Sequence, residues 1–390
     1  MRLYSARALR LMSPAEKLLR ELIALPSVNP ALMPPNDPRA GEQGIADFLV
    51  ATAAGQGADV ELREVFPGRS NVVVRLQPSG RTTQRVVLAP HMDTVGDAAM
   101  SDTLFQPVLK GDRLFGRGAC DTKGSVAAML SAVLNVGQGS MRPRQTEIVF
   151  IALVDEEVNQ SGSRALVRHG FRADLAIVGE PTRLNVITAH KGDLWLTLRT
   201  RGKAAHGARP ELGKNAVHTM ARVVDLLQTK YGRRLAKKSH RLLGCATVNV
   251  GSIRGGTQPN IVPDRCEISV DRRTIPGETD RGVIREIQSL LKEHQLQAEV
   301  FDDKAAAPCW PMETNPKLPL VQSLMRVVKQ RQPMGVHYFS DASVFARGGT
   351  PAVLFGPGDI AQAHTPDEWI SIRSLNQATA LLTKFLESLP

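Results

Sequence analysis

The chain has 390 residues, a formal charge of +11 and a hydrophobic content of 42%. Such a length holds two or three domains with sizeable cores, and no apolar run approaches the ~20 residues that span a membrane. The four cysteines, Cys120, Cys245, Cys266 and Cys309, show no CxxC spacing, which argues against a disulfide scaffold or thiolate zinc site and leaves the reduced thiols of a cytoplasmic protein.

The segment Met1 to Arg10 has scattered arginines and no apolar core of signal-peptide length, which agrees with a cytoplasmic protein. Ser13-Pro-Ala-Glu16 has the form of a capping box with Pro at the first helical position. It opens an amphipathic helix through Leu18, Leu19, Leu22 and Ile23 that ends near Pro26. The Pro-rich stretch 30–38 reads as a loop. A second helix is expected over 44–54, then strands over 59–65 and 71–76 around the turn Pro67-Gly68. Val86 to Leu88 reads as a short buried strand that stops at Pro90, just before His91-Met-Asp93. Strand ends in open α/β sheets line the crevice where ligands bind, and the spacing lets Asp93 hold one ring nitrogen of His91 while the other faces a metal.

Two extended segments over 102–115 surround the turn Lys110-Gly111-Asp112 and lead to Gly116-Arg-Gly-Ala-Cys120-Asp121-Thr-Lys-Gly124. Glycines there permit close backbone approach, and a small-residue helix follows from Ser125 to Leu134 with Asp121 at its entrance. The apolar run 147–154 ends on Asp155-Glu156-Glu157, carboxylates that are costly to hold together unless a cation neutralises them. Adjacent residues at a strand end point in different directions, so Glu156 and Glu157 are expected to have different tasks. A third apolar strand, 175–178, stops at Gly179-Glu180-Pro-Thr182.

From about Leu184 the pattern changes to strands over 193–199, 245–253 and 265–271 and helices over 214–227 and 280–294, which reads as a separate α+β domain ending near 298. It carries His206, Asn260 and Asp271-Arg272-Arg273. The densest basic run, Lys230 to Arg241, holds one aromatic, Tyr231. It reads as a solvated helix end, since a nucleic-acid surface would also need stacking residues. The first domain resumes with a helix over 317–329, a strand over 351–355, the loop Gly356 to Trp369 carrying His364, and a closing helix over 374–386.

His91, Asp121, Glu157, Glu180 and His364 thus stand at strand ends or in loops, and they supply imidazoles and carboxylates together. Nitrogen and oxygen donors without thiolate suit a pair of zinc ions, or cobalt or manganese, with Asp121 as the bridge. Water trapped between two such ions loses a proton near neutral pH, and Glu156, beside a ligand, has the place of a general base.

The ordered set His91-Met-Asp93-Thr, Gly116 to Gly124, Asp155-Glu156-Glu157, Gly179-Glu180-Pro-Thr182, His206-Gly-Ala, Gly256-Thr-Gln-Pro-Asn260 and Ala363-His364-Thr-Pro-Asp-Glu368 resembles the M20 family of dinuclear zinc peptidases and deacylases. The resemblance covers nearly the whole chain. It implies a zinc-exopeptidase-like α/β catalytic domain with a mostly parallel sheet flanked by helices, built from residues 1–183 and 299–390. Residues 184–298 would form an inserted α+β lid and dimerisation domain. It further implies that His91 and Glu180 hold one ion, Glu157 and His364 the other and Asp121 both, with Asp93 orienting His91. His206 would stabilise the tetrahedral oxyanion in the site of the other copy of a homodimer. Asn260 and Arg273 would bind a substrate carboxylate; Arg273 is preferred to Arg272 because the family reads Asp-x-Arg before Pro-Gly, here Pro276-Gly277. Thr122 departs from the Met that many members carry after the bridging Asp.

The implied activity is hydrolysis of the amide bond of N-acyl amino acids by a metal-bound hydroxide with Glu156 as general base, of the acetylornithine deacetylase type, in amino-acid biosynthesis. Glu180 and the ending Gly356 to Glu368 favour that type. The Ser-Gly-Gly-Thr-Ser-Asp segment of the desuccinylases is absent, and Phe339-Ser-Asp-Ala342 stands in its region. A dipeptidase or carboxypeptidase, or a succinyl-diaminopimelate desuccinylase, is the alternative within the family. Outside it stands a non-catalytic metal-binding protein on the same fold, against which the full ligand set and Glu156 argue. The expected partner is a small molecule, with neither nucleic acid nor membrane involved.

Overall fold

A computed structural model describes residues 11–96 and 101–390; the segment Met1 to Arg10, read above for targeting signals, lies outside the described residues. The chain forms two compact units. The first takes the chain as far as Val186 with Lys317–Arg331 and Gly348–Pro390, and the second takes Ile187–Pro316 with Gln332–Arg347. In chain order the principal elements are helices α1 (Pro14–Ala24) and α2 (Gln43–Ala54), strands β1 (Asp59–Phe66), β2 (Arg69–Leu76) and β3 (Gln84–Pro90), helix α3 (Lys123–Gln138), and strands β4 (Thr146–Ala152) and β5 (Leu175–Gly179). The second unit then contributes β6 (Gly192–Arg201), α4 (Ala216–Leu226), β7 (Thr247–Gly255), β8 (Arg265–Thr274), α5 (Asp280–Glu293) and β9 (Glu299–Asp302). Strand β10 (Ala352–Leu354) and helix α6 (Ile372–Glu387) close the first unit.

Ser13 caps α1 by accepting the Glu16 N–H at 3.1 Å, and Leu18, Leu19, Leu22 and Ile23 bury the inward stripe that the sequence spacing predicts. In the first unit the strands run in the order β1-β2-β4-β3-β5-β10. The β1–β2 and β2–β4 pairs are antiparallel, whereas β3 pairs in parallel with both β4 and β5, and β5 with β10. Every residue of β4 and β5 is buried. Runs such as Ile148-Val-Phe-Ile151 and Val86-Val-Leu88 are what strands covered on both faces require. Helices α1, α3 and α6 pack on one another, and α3 is buried along most of its length through small residues such as Ala127, Ala128 and Ala132.

Register sets where the site forms. Leu88 of β3 lies opposite Phe150 of β4, and Pro90 lies opposite Gly179 of β5. The three carboxyl ends are therefore level, and the residues that emerge from them are His91, the run Asp155 to Glu157, and Glu180.

The second unit has an antiparallel sheet in the order β7-β8-β6-β9. Alternate residues Leu194, Leu196 and Leu198 of β6, with Ile268 and Val270 of β8, pack against Met220 and Val223 of α4 and Ile287 and Leu290 of α5. Residues 299–316, which the sequence reading assigned to the second part of the catalytic domain, group with this unit. The cause is β9, whose Glu299 pairs opposite Arg199 of β6 and so extends this sheet. The helix Ser161–Arg168 and the short helix Ala342–Arg347 have no counterpart in the sequence reading.

Candidate active site

His91 follows β3 and is 2% exposed. Its Nδ1 lies 2.9 Å from the carbonyl oxygen of Asp93 and 3.4 Å from Asp93 Oδ1. Nε2 therefore faces the site, 3.3 Å from Asp121 Oδ1 and 4.0 Å from Glu156 Oε2. The carboxylate of Asp93 has further work. Oδ1 accepts the Glu156 N–H at 3.0 Å, while Oδ2 accepts the Glu157 N–H at 3.1 Å and Asn29 Nδ2 at 2.8 Å.

The three carboxylates after β4 separate as their alternating directions predict. Asp155, at φ 64°, turns onto Asn29, Ser161 and Arg69, and Arg69 also pairs with buried Glu42. Glu157 turns the other way, with Oε2 3.2 Å from His364 Nε2. Glu156 stays near His91. Asp121 comes from the glycine loop before α3. Gly118 holds φ 78° there, and a Cβ on it would meet the side chains of Lys123 and Thr94 at 2.8 Å, so only glycine lets the loop close. The Asp121–Thr122 peptide is cis.

The two oxygens of Asp121 face different imidazoles: Oδ1 lies 3.3 Å from His91 Nε2, and Oδ2 lies 3.4 Å from His364 Nε2. His364 adopts φ 60° on the loop after β10, and its side chain is 53% exposed. Ligand atoms of His91, Asp121 and Glu157 all lie within 4.8 Å of one another, close enough to belong to one metal centre. Glu180, 4% exposed, leaves β5 at the level of His91.

The electrostatics call for positive charge. Asp121 and Glu157 hold the His364 imidazolium up to about 10. Burial disfavours charge on His91, yet its bonds to Asp121 and Asp93 outweigh burial and raise it well above the usual imidazole range. Burial raises the Glu157 carboxyl, and the nearby Asp121 charge adds to that. Glu157 Oε1 is buried and accepts no hydrogen bond among the described residues. Carboxylate and imidazole donors, with one buried oxygen unsatisfied, fit a divalent cation of borderline character.

In the second unit, His206 and Asn260 are exposed and adjoin: His206 bridges to Ile261, and the Gly207 N–H donates to the Asn260 carbonyl at 2.7 Å. Arg272 is fully buried, its guanidinium committed to Glu278 and the Tyr231 hydroxyl. Arg273 points to the opposite face, where Asp271 binds it through two hydrogen bonds of 3.0 and 2.9 Å and Asp193 Oδ1 lies 3.6 Å away. Sequence reasoning missed Asn29 and Glu42, whose side chains act through partners distant in the chain and leave no local spacing to find.

Residues 87–388 match the model of peptidase family M20/M25/M40. The chain belongs to this family. An M20 member is a hydrolase acting on amide bonds, as the constellation above suits. An acetylornithine deacetylase of Myxococcus xanthus is 30% identical over 375 residues, which cover 94% of this chain and 95% of that relative. Among solved structures, an M20 metallo-carboxypeptidase from Sulfolobus solfataricus superposes with a TM-score of 0.76 at 19% identity, covering 96% of this chain and 99% of its own. A dinuclear metal-binding M20 peptidase from Bacillus subtilis does so with a TM-score of 0.69 at 12% identity, covering 96% of each chain.

Proposed function

We propose that this M20 member hydrolyses the amide bond of N-acyl amino acids, with N-acetylornithine as its preferred substrate, and that two divalent ions, zinc in the first place, serve as its cofactor. The observation that carries the reading is the disposition of Asp121, with one oxygen toward each imidazole. By this reading His91 and Glu180 hold one ion, Glu157 and His364 the other, and Asp121 both. Such ions, when bound, polarise the acyl carbonyl and acidify a water.

The chain's own residues supply the rest. Glu156 is the general base that takes a proton from the attacking water and returns it to the departing amine. Asp93 fixes it in place, because the same carboxylate that accepts the Glu156 N–H also steadies His91. In the second unit, exposed His206 and Asn260 are the substrate contacts, His206 acting on the oxyanion in the site of a second copy. Arg273 would serve the substrate carboxylate by leaving Asp271. The edge strand β7 and its groove of about 670 Å³, lined by Val224, Leu227, Val248 and Ile253, support dimerisation through this unit. No described helix is long and apolar enough to cross a membrane, and a cytoplasmic place is part of the same proposal.

The test is amine release from N-acetyl and N-succinyl amino acids and dipeptides with zinc or cobalt, beside a Glu156→Ala control. Best turnover of N-acetylornithine with a dead control supports the reading. Best turnover of dipeptides would move it to a peptidase, and metal binding without turnover to a non-catalytic protein.

A further inference from the structure

Glu368 is 2% exposed and stands in the same loop as His364, yet nothing above gives it a task. Its Oε2 accepts the Gly118 N–H at 2.9 Å and Arg117 Nη1 at 3.0 Å. Its Oε1 accepts the N–H groups of Cys120 and Asp121 at 2.8 and 2.9 Å. The backbone carbonyl of Glu368 accepts the Gly116 N–H at 3.0 Å. Arg117, 1% exposed, also donates from Nη1 to the Thr365 carbonyl at 3.1 Å. One carboxylate therefore gathers the loop that carries Asp121, and one guanidinium ties that loop to the residue after His364.

Neither group touches the oxygens and ring nitrogens that converge on the candidate metal centre. They act one step behind it. Because the Asp121 N–H is fixed on Glu368, the Asp121 backbone cannot turn, and its two oxygens stay divided between His91 and His364. Because Arg117 holds the Thr365 carbonyl, His364 is held in its left-handed backbone conformation from the chain that follows it. Hydrogen bonds to a buried ionised carboxylate are short and strong, and partners that orient metal ligands are worth about 10–100-fold in affinity.

We propose that Glu368, together with Arg117, is a positioning residue that sets the bridging Asp121 and His364 into mutual register for metal binding. The proposal rests on the metal reading above. Glu368→Gln keeps size and shape but turns an amide N–H₂ toward one pair of N–H donors, where an acceptor is needed.

The test is zinc titration of the metal-stripped full chain by calorimetry, with the visible spectrum of the cobalt-substituted protein as a second reading. Glu147→Gln is the control. Glu147 is equally buried and paired with Arg75 and Arg85, but it lies at the opposite end of β4 from the site. The expected result is a zinc affinity about 10–100-fold weaker for Glu368→Gln with an altered cobalt spectrum, while Glu147→Gln lowers the melting temperature and binds zinc as the native chain does. Should Glu368→Gln not fold, Arg117→Lys decides by the same two readings, with a smaller loss expected. Native affinity and a native cobalt spectrum in the folded variant would overturn the proposal. Failure of the native chain itself to bind zinc would instead overturn the metal reading.

Discussion

The carboxylate of Asp93 and the backbone N–H of Glu156 are joined at 3.0 Å. Through that bond the residue beside His91 also positions the proposed general base and, by its other oxygen, Glu157. Asp93→Asn keeps the shape but sets an amide N–H₂ against one of those N–H groups. Zinc affinity should fall about 10–100-fold and kcat should fall with it; calorimetry that finds native zinc affinity would sink this account.

Glu156 itself should affect chemistry and not binding. Glu156→Gln is expected to lower kcat by about 10²–10⁴-fold at unchanged KM and unchanged metal content. A loss of bound metal in this variant would mean that Glu156 is a ligand, and the division of tasks between Glu156 and Glu157 would be wrong.

Metal removal should also cost stability, because Asp121, Glu157 and their neighbours then repel one another in a buried site. Chelation is expected to lower the melting temperature, and zinc to restore it in a concentration-dependent way, as binding to the native state alone requires. Identical melting curves with chelator and with zinc would refute this.

The second unit predicts a pH effect independent of the metal. His190 is fully buried, its Nδ1 2.8 Å from the Lys191 carbonyl, and burial pulls its imidazole down to about 4 from 6.5. An unfolded chain would protonate this ring below about 6.5 while the folded one does not, so stability is lost as pH falls from 6.5 to 4. The loss attributable to His190 is on the order of 3 kcal/mol. His190→Asn should flatten the urea midpoint against pH over that window, and an unchanged slope would contradict the assignment.

If His206 serves the site of a second copy, two dead variants should repair each other. His206→Ala and Glu156→Gln, each inactive alone, are expected to regain roughly a quarter of native activity when mixed and allowed to exchange, since random pairing leaves one intact site in half the dimers. A chain that sediments as a monomer, or a mixture without activity, would remove His206 from that role.

The strand-end residues were legible because apolar runs such as Val86 to Leu88 and Ile148 to Val154 stop abruptly at polar side chains, and level parallel strands bring those stops together. The helix Ser161–Arg168 was not legible, since it is only eight residues long and opens on Ser161-Gly162-Ser163, a composition that reads as a loop. Nor was the grouping of 299–316, which depends on β9 finding the edge of β6 rather than on its own composition. Arg273 was singled out by the family resemblance, but its bidentate pairing with Asp271 follows from two side chains sharing one face of β8, which a motif does not convey. Glu368 was quoted only as the end of a motif. Its partners are backbone N–H groups far back in the chain, and backbone groups have no sequence.

Arg117 and Glu368 are 251 residues apart. At ribosomal speeds of about 5–20 residues per second, a newly made Arg117 waits on the order of 10–50 s for the carboxylate that will enclose it. During that interval the second unit is synthesised in full, while the Asp121 loop lacks its anchor and the acidic strand ends lack His364. The first unit cannot finish folding until Glu368 has been made, so a chain released before that point is expected to be a substrate for chaperones and proteases rather than a weakened enzyme.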